Sequence, residues 1–173
     1  MPIPNAAPIA TLRTTLTPLS VADAPFMFEL MTSPLYLRFI GDRSLASIQD
    51  AERYIDSYFL KSTRTHGFGY FVATNGNGVP IGTVGFMQKD YLQNPDIGFA
   101  FLPQFSGLGL AHEVSQAALK YARDEWQLTN FDAVTDRENV ASQNLLERLN
   151  FKFIKEISHP GDQRPIPLYG LRV

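Results

Sequence analysis

The sequence contains no cysteine, and this absence removes several kinds of chemistry together. Disulfide bonds, thiolate nucleophiles and thiolate ligands for a metal ion all require that residue. The three histidines, His66, His112 and His159, stand far apart and show no ligand spacing, which favours structural or solvent-facing roles for them. The sequence therefore predicts no metal site.

Charge is also scarce, and no charged run marks a surface for nucleic acid or lipid. Charged residues make up 18% of the chain, the formal net charge is −2, and lysine and arginine are scattered. A dedicated nucleic-acid binder usually carries a basic stripe instead. No apolar run approaches transmembrane length, and residues 1–10 lack the pattern of a signal peptide. We therefore expect a cytoplasmic protein without nucleic-acid or membrane partners.

The length and apolar content favour one domain over residues 1–173. Hydrophobic residues make up 45% of the 173 residues, enough for a sizeable core. Residues 1–10, with three prolines, are predicted to form an irregular lead-in. Strands are predicted over residues 11–17, 68–74, 81–88, 96–102, 131–136, 151–157 and 168–172, and helices after Asp23, after Ser47, over 110–126 and over 140–149.

The predicted order of elements is β-α-α-β-β-β-α-β-α-β-β. Hairpin signals such as the Asn-Gly-Asn-Gly turn at residues 75–78 favour antiparallel pairing of neighbouring strands. Helices interleave with these strands, so the fold class is α/β in the mixed sense (α+β), with a mostly antiparallel sheet of about seven strands and about four helices.

The most informative segment is the turn from Gln104 to Ala111, between a predicted strand and a predicted helix. Gly107 and Gly109 leave backbone N–H groups uncovered at the mouth of the helix. Those groups have no intrahelical partner and lie at the positive end of the helix dipole. Such a turn suits a phosphate or pyrophosphate. An ordinary strand-to-helix turn with flexible glycines explains the octapeptide equally well.

In this context the turn resembles the main motif of the GNAT superfamily of acetyl-CoA-dependent N-acetyltransferases. That motif is Gln or Arg, two residues, Gly, one residue, then Gly or Ala, and Gln104, Gly107 and Gly109 match it. The resemblance extends over nearly the whole chain through the matching order of elements. It implies the GNAT fold and acetyl-CoA as co-substrate.

A second segment is similar to the later signature of the same family. Asn139 opens a predicted helix, Ser142 is the small residue three places on, and Asn150 stands where the family closes with glycine. Asparagine tolerates the same left-handed backbone as glycine. The Asn-x-x-Ser form and the strand that begins at Asp96 most resemble the ribosomal-protein N-terminal acetyltransferase (RimJ/RimL-like) branch.

The resemblance implies a set of residues that bind acetyl-CoA. Two of them also have structural explanations, because Phe101 is a good core residue and Asn139 is a natural helix N-cap. The implied residues are Phe101 and Leu102 through their main chain, Gln104, Ser106, Gly107, Leu108, Gly109, Leu110 and Ala111 in the turn, and Asn139 and Ser142 in the later helix.

The candidate catalytic residues are Asp96 and Ser142. Transfer to an amine requires removal of the ammonium proton, and Asp96 stands where the branch often carries a glutamate that could act through water. The alternative is a solvated charge at a strand end. In this branch Ser142 would protonate the departing thiolate, and the alternative is an ordinary helix residue. Leu146 occupies the position of the tyrosine acid of many members, which excludes that route.

The implied activity is direct acetyl transfer to a primary amine, with no covalent enzyme intermediate. The branch suggests a protein N-terminal amine as acceptor, and a small-molecule amine such as an amino acid, polyamine or antibiotic is the alternative. A non-catalytic acyl-CoA-binding module is a third interpretation. The acceptor site is expected near the early helices, the loop at residues 34–43 and the late strands. A homodimer is implied by resemblance only.

Overall fold

A computed structural model describes residues 6–172, so the first five residues of the predicted lead-in lie outside the described residues. Residues 6–172 form one eight-stranded sheet with five helices. The strands are β1 (Ile9–Ala10), β2 (Thr14–Pro18), β3 (Tyr70–Asn75), β4 (Pro80–Met87), β5 (Asp96–Phe101), β6 (Asn130–Val134), β7 (Lys152–Ser158) and β8 (Pro165–Arg172). The helices are α1 (Ala24–Met31), α2 (Pro34–Phe39), α3 (Ile48–Tyr54, continuing through a π-helical turn at Ile55–Leu60 into Lys61–His66), α4 (Leu110–Trp126) and α5 (Val140–Arg148).

The strand order is β1-β2-β3-β4-β5-β6-β8-β7, and every neighbouring pair is antiparallel except β5 and β6. The predicted class, a mixed and mostly antiparallel sheet, is confirmed, with eight strands in place of seven and five helices in place of four. The prediction of an irregular lead-in is wrong at Ile9–Ala10, which pairs with β2. A turn in which the Thr11 N–H donates to the Thr14 carbonyl at 2.8 Å reverses the chain there.

Several local signals in the sequence act as predicted. Ser47 caps α3 by accepting the Asp50 N–H at 3.1 Å, and Asn75 holds the β3–β4 turn by accepting the Asn77 N–H at 2.9 Å. Asn150 follows α5 with a φ of 68°, the left-handed conformation that asparagine tolerates. Residues close to the ends of these helices and strands therefore determine where the helices and strands begin or end.

The core lies on both faces of the sheet. On one face α4 and α5 cover buried side chains that include Phe71, Phe86 and Phe131. On the other face α1 and α3 cover a second cluster that includes Val72 and Met87. Burial of each large apolar side chain contributes about 1.5–3 kcal/mol, so both layers hold the sheet firmly.

The strands β5 and β6 separate soon after they meet. Among the described residues they share one register pair, Asp96 with Asp132, and the Asp132 N–H donates to the Pro95 carbonyl at 2.9 Å. Because the two strands are parallel, their carboxyl ends lie at the same edge of the sheet. The helices that follow them, α4 and α5, therefore both begin beside the opening between β5 and β6.

Candidate active site

The glycine turn gives α4 an uncovered N-terminus. Gly107 and Gly109 have φ values of 75° and 78°, the left-handed region that favours glycine, and Gly109 is the N-cap of α4. No side chain among residues 6–172 caps this helix. The first N–H groups of α4, beginning at Leu110, therefore have no helical acceptor and are available to an anion. A Cβ added at Gly107 would meet no atom of residues 6–172 within 4 Å, so the turn is open toward the described part of the chain.

Successive residues of β5 direct their backbone N–H and C=O groups alternately toward β4 and toward β6. The Leu102 N–H donates to the Ile81 carbonyl of β4 at 3.0 Å, whereas the Pro95 carbonyl faces β6. Successive residues alternate, so the backbone groups of Phe99 and Phe101 also face the side from which β6 has separated. The expected contribution of the Leu102 amide is not available, because that amide is bonded inside the sheet. Within residues 6–172, the backbone groups that remain unbonded on this edge are those of Phe99 and Phe101.

Asn139 and Ser142 lie together at the start of α5. The Asn139 Oδ1 atom accepts the Ser142 N–H at 3.1 Å, so the side chain is the helix cap that the sequence predicts. This bond occupies only the oxygen, and the Nδ2 group of Asn139 remains a donor. The Ser142 hydroxyl is half-buried and has no hydrogen-bond partner in the described part of the chain.

Asp96 is buried at the point where β5 and β6 meet. It is 4% exposed, and its Oδ2 atom lies 3.4 Å from the Lys89 ammonium. Within residues 6–172 its Oδ1 atom has no hydrogen-bond partner. Burial raises the pKa of Asp96 above its usual value, although the Lys89 charge opposes the shift. The alternative interpretation, a solvated charge at a strand end, is therefore wrong.

Tyr70 of β3 approaches Asp96 across the face of the sheet that α1 and α3 cover. A Cβ at Gly98 would lie 2.2 Å from the Tyr70 hydroxyl, so only glycine leaves room for this ring beside Asp96. Burial first, and the Asp96 charge second, raise the pKa of Tyr70. Lys89 and Tyr70 were not predicted from the sequence as residues near the site. A glycine inside a strand, which often marks a close approach, was the one signal for Tyr70.

The predicted acceptor loop at residues 34–43 is partly helical, because Pro34–Phe39 forms α2. From α2, Arg38 reaches Glu138, one residue before Asn139, with a separation of 3.8 Å between nitrogen and oxygen. This contact places α2 beside the start of α5. The exposed apolar side chains Leu37, Ile40 and Val140 are 41%, 41% and 61% exposed.

Residues 6–172 contain neither a membrane-spanning helix nor a cluster of metal ligands. No helix in this part of the chain is long and apolar enough to cross a membrane. No group of three or more histidine, aspartate or glutamate side chains in the same residues is arranged to hold a metal ion.

Comparisons with known proteins agree with this geometry. The family model "Acetyltransferase (GNAT) domain" matches residues 13–152. The protein named uncharacterized N-acetyltransferase YoaA, from Bacillus subtilis (strain 168), is 25% identical over 147 residues, which are 83% of this chain and 82% of that protein.

Solved structures share the fold at lower identity. An acetyltransferase from Agrobacterium tumefaciens superposes with a TM-score of 0.81 at 21% identity, over 98% of this chain and 96% of that chain. RimL, a ribosomal L7/L12 α-N-protein acetyltransferase solved in complex with coenzyme A, gives a TM-score of 0.75 at 15% identity, over 96% and 98%. Because the family model covers most of the chain, the protein belongs to the GNAT acetyltransferase domain family and is an acetyl-CoA-dependent acetyltransferase.

Proposed function

We propose that this enzyme transfers the acetyl group of acetyl-CoA directly to the α-amine of a protein N-terminus. The observation that carries the donor half of the proposal is the uncapped, glycine-lined start of α4, beside the opening between β5 and β6. The whole chain, residues 1–173, would work as one acetyltransferase domain.

The residues at this opening fit acetyl-CoA. Backbone N–H groups from Gly107 to Ala111 would hold the pyrophosphate, with Gln104 and Ser106 at the rim of the turn. The free backbone edge at Phe99 and Phe101 matches the amide groups of the pantetheine arm, much as an added strand would.

Asn139 serves the helix and the ligand with different atoms. Its Oδ1 atom caps α5, and its Nδ2 group would donate to a pantetheine carbonyl. Capping therefore fixes the orientation of the side chain and leaves the donor directed away from the helix. The two roles that the sequence left open are compatible.

Asp96 is the proposed general base. The bound co-substrate supplies an acetyl thioester, and the acceptor must lose its ammonium proton before it can react with that group. Lys89 holds Oδ2, so Oδ1 is the oxygen left to accept the proton, through a water molecule. A raised pKa makes the carboxylate a stronger base.

Ser142 is the proposed general acid. Its backbone N–H is held by Asn139, so the residue is fixed in place while its hydroxyl makes no other bond within residues 6–172. That hydroxyl would donate a proton to the departing sulfur and recover one from the attacking nitrogen, which must lose a second proton to become the amide. No cysteine is present to form an acyl-enzyme thioester, in agreement with direct transfer.

The surface beside α5 supports a peptide acceptor. The Arg38–Glu138 contact brings α2 to the start of α5, where Leu37, Ile40 and Val140 expose apolar surface. Exposed apolar groups around a site are typical of surfaces that contact another chain. The fold shared with RimL, an α-N-protein acetyltransferase, also supports this choice.

An acceptor screen tests the proposal. The purified chain is incubated with acetyl-CoA and a panel of lysine-free peptides, and the released thiol is followed with a thiol-reactive dye. The protein has no cysteine and contributes no background. We expect thiol release with peptides that have a free α-amine and none with the same peptides blocked at that amine.

Other results would select another function. Turnover with polyamines, amino acids or aminoglycosides but no peptide would replace the acceptor by a small-molecule amine. Binding of acetyl-CoA without turnover of any amine would indicate a non-catalytic acyl-CoA-binding module.

A further inference from the structure

Arg13, in the turn between β1 and β2, touches the glycine turn from outside. Its Nη1 group donates to the Leu108 carbonyl at 2.9 Å, and its Nε group donates to Glu113 Oε1 at 2.8 Å. Its own backbone N–H donates to Glu113 Oε2, also at 2.8 Å. One residue, 100 positions before Glu113, therefore links the turn to the first part of α4.

The bond to Leu108 fixes the direction of the next N–H group. In a trans peptide the carbonyl of one residue and the N–H of the next point in opposite directions. With the Leu108 carbonyl held toward Arg13, the Gly109 N–H must point away from Arg13. The Arg13 guanidinium thereby sets the orientation of a donor at the mouth of α4, in a turn whose glycines offer little resistance to rotation.

Glu113 anchors this arrangement to the helix. Its backbone N–H donates to the Gly109 carbonyl at 3.2 Å, and its carboxylate accepts bonds from Arg13 and from the Thr11 hydroxyl. Burial alone would raise the pKa of Glu113, but the bonds from Thr11 and Arg13 outweigh it and lower the pKa. An anionic carboxylate so near the mouth of α4 would repel a phosphate if Arg13 did not balance its charge.

We propose that Arg13 is a positioning residue for the pyrophosphate of acetyl-CoA. It orients the Gly109 N–H through the Leu108 carbonyl and offsets the charge of Glu113, without itself contacting the ligand. The inference rests on the proposed cofactor site at the start of α4. It does not depend on which amine is acetylated.

Two variants and a control test the inference. Arg13→Met keeps the apolar stem and removes the donors, and Arg13→Lys keeps the charge but cannot donate from two nitrogen atoms. Arg64→Met is the matched control, because Arg64 is a half-exposed arginine of α3 that pairs with Asp56. Calorimetry measures the Kd of acetyl-CoA without an acceptor. Chemical-shift titration measures the Kd of S-acetylpantetheine, which lacks the pyrophosphate.

We expect both Arg13 variants to raise the Kd of acetyl-CoA by about ten-fold and to leave that of S-acetylpantetheine within about two-fold of the parent. The Arg64 variant should match the parent with both ligands. An equal rise in the Kd of both ligands would overturn the inference, because it would indicate general damage to the site. An unchanged acetyl-CoA Kd in either variant would also overturn it.

Thermal unfolding is recorded for each variant. If Arg13→Met does not fold, the acetyl-CoA Kd of Arg13→Lys alone tests the inference. Failure of the proposed function is a separate result, since it would appear as an absence of turnover by the parent chain.

Discussion

Replacing Gly107 by valine should weaken acetyl-CoA binding, and the chain offers a close control. Gly107 and Gly78 share a φ of 75°, and a Cβ added at either would meet no described atom within 4 Å. They differ in position, because Gly107 lies in the turn before α4 and Gly78 lies in the β3–β4 hairpin. Any difference between the two valine variants therefore reports on the ligand rather than on backbone strain.

The two substitutions should cost similar stability. A side chain in the left-handed region costs about 2 kcal/mol, and a more restricted unfolded chain returns about 0.7 kcal/mol of this. The net loss of about 1 kcal/mol should lower Tm by roughly 2–4 °C in a chain of this length. Both variants should therefore remain folded at 25 °C.

Their effects on binding should differ. Relief of the strain at residue 107 should rotate the N–H groups of the turn and remove one charge-assisted hydrogen bond to the pyrophosphate. The loss of that bond should weaken the binding free energy by about 1.5–3 kcal/mol. The Kd of acetyl-CoA should rise between about ten- and a hundred-fold in Gly107→Val, as measured by calorimetry. Gly78→Val should bind like the parent. Equal affinity of the two variants would refute the pyrophosphate assignment.

Three further predictions concern protons. Ser142→Ala should lower kcat by about ten-fold or more and leave the Kd of acetyl-CoA near the parent value, because alanine keeps the backbone N–H that Asn139 caps; an unchanged kcat would make Ser142 an ordinary helix residue. Asp96→Asn should lower kcat/KM at neutral pH by about a hundred-fold or more. The parent rate should rise as pH increases through the raised pKa of Asp96, and persistence of this rise in the variant would exclude Asp96 as the base. The folded pKa of Glu113 lies below its unfolded value, so its contribution to the free energy of unfolding is present above the unfolded pKa and is lost as pH falls through the folded pKa. Urea titrations at a series of pH values measure the free energy of unfolding, which should fall less toward acidic pH in Glu113→Gln than in the parent. The same dependence on pH in both proteins would contradict the prediction.

The parts of the site that the sequence predicted are those determined by neighbouring residues. The glycine turn before α4 and the cap at Asn139 depend on residues within a few positions of each other. Short elements escaped the prediction, because β1 has two residues and α2 has six, fewer than the window in which periodicity shows.

The parts that the sequence could not predict depend on the order of strands. Arg13 reaches Glu113 because β2 lies on the same sheet as the strand that leads into α4, although 100 residues separate the pair. Likewise the Leu102 amide is unavailable only because Ile81 of β4 lies opposite. Residue types alone gave no sign of either contact.

Strand order also distinguishes between two carboxylates at the base of the opening. Asp96 and Asp132 are register partners on parallel strands, so both side chains lie on one face of the sheet, and both are buried. Both oxygens of Asp132 are in use, since Arg172 donates to Oδ1 at 2.7 Å and the Asn94 N–H donates to Oδ2 at 3.2 Å. Among the described side chains Asp96 pairs with Lys89 alone, through Oδ2, and the charge of Asp132 adds to burial in raising the pKa of Asp96. Of the two, Asp96 is therefore the carboxylate with an oxygen free of partners within residues 6–172, and its raised pKa suits proton removal from an amine.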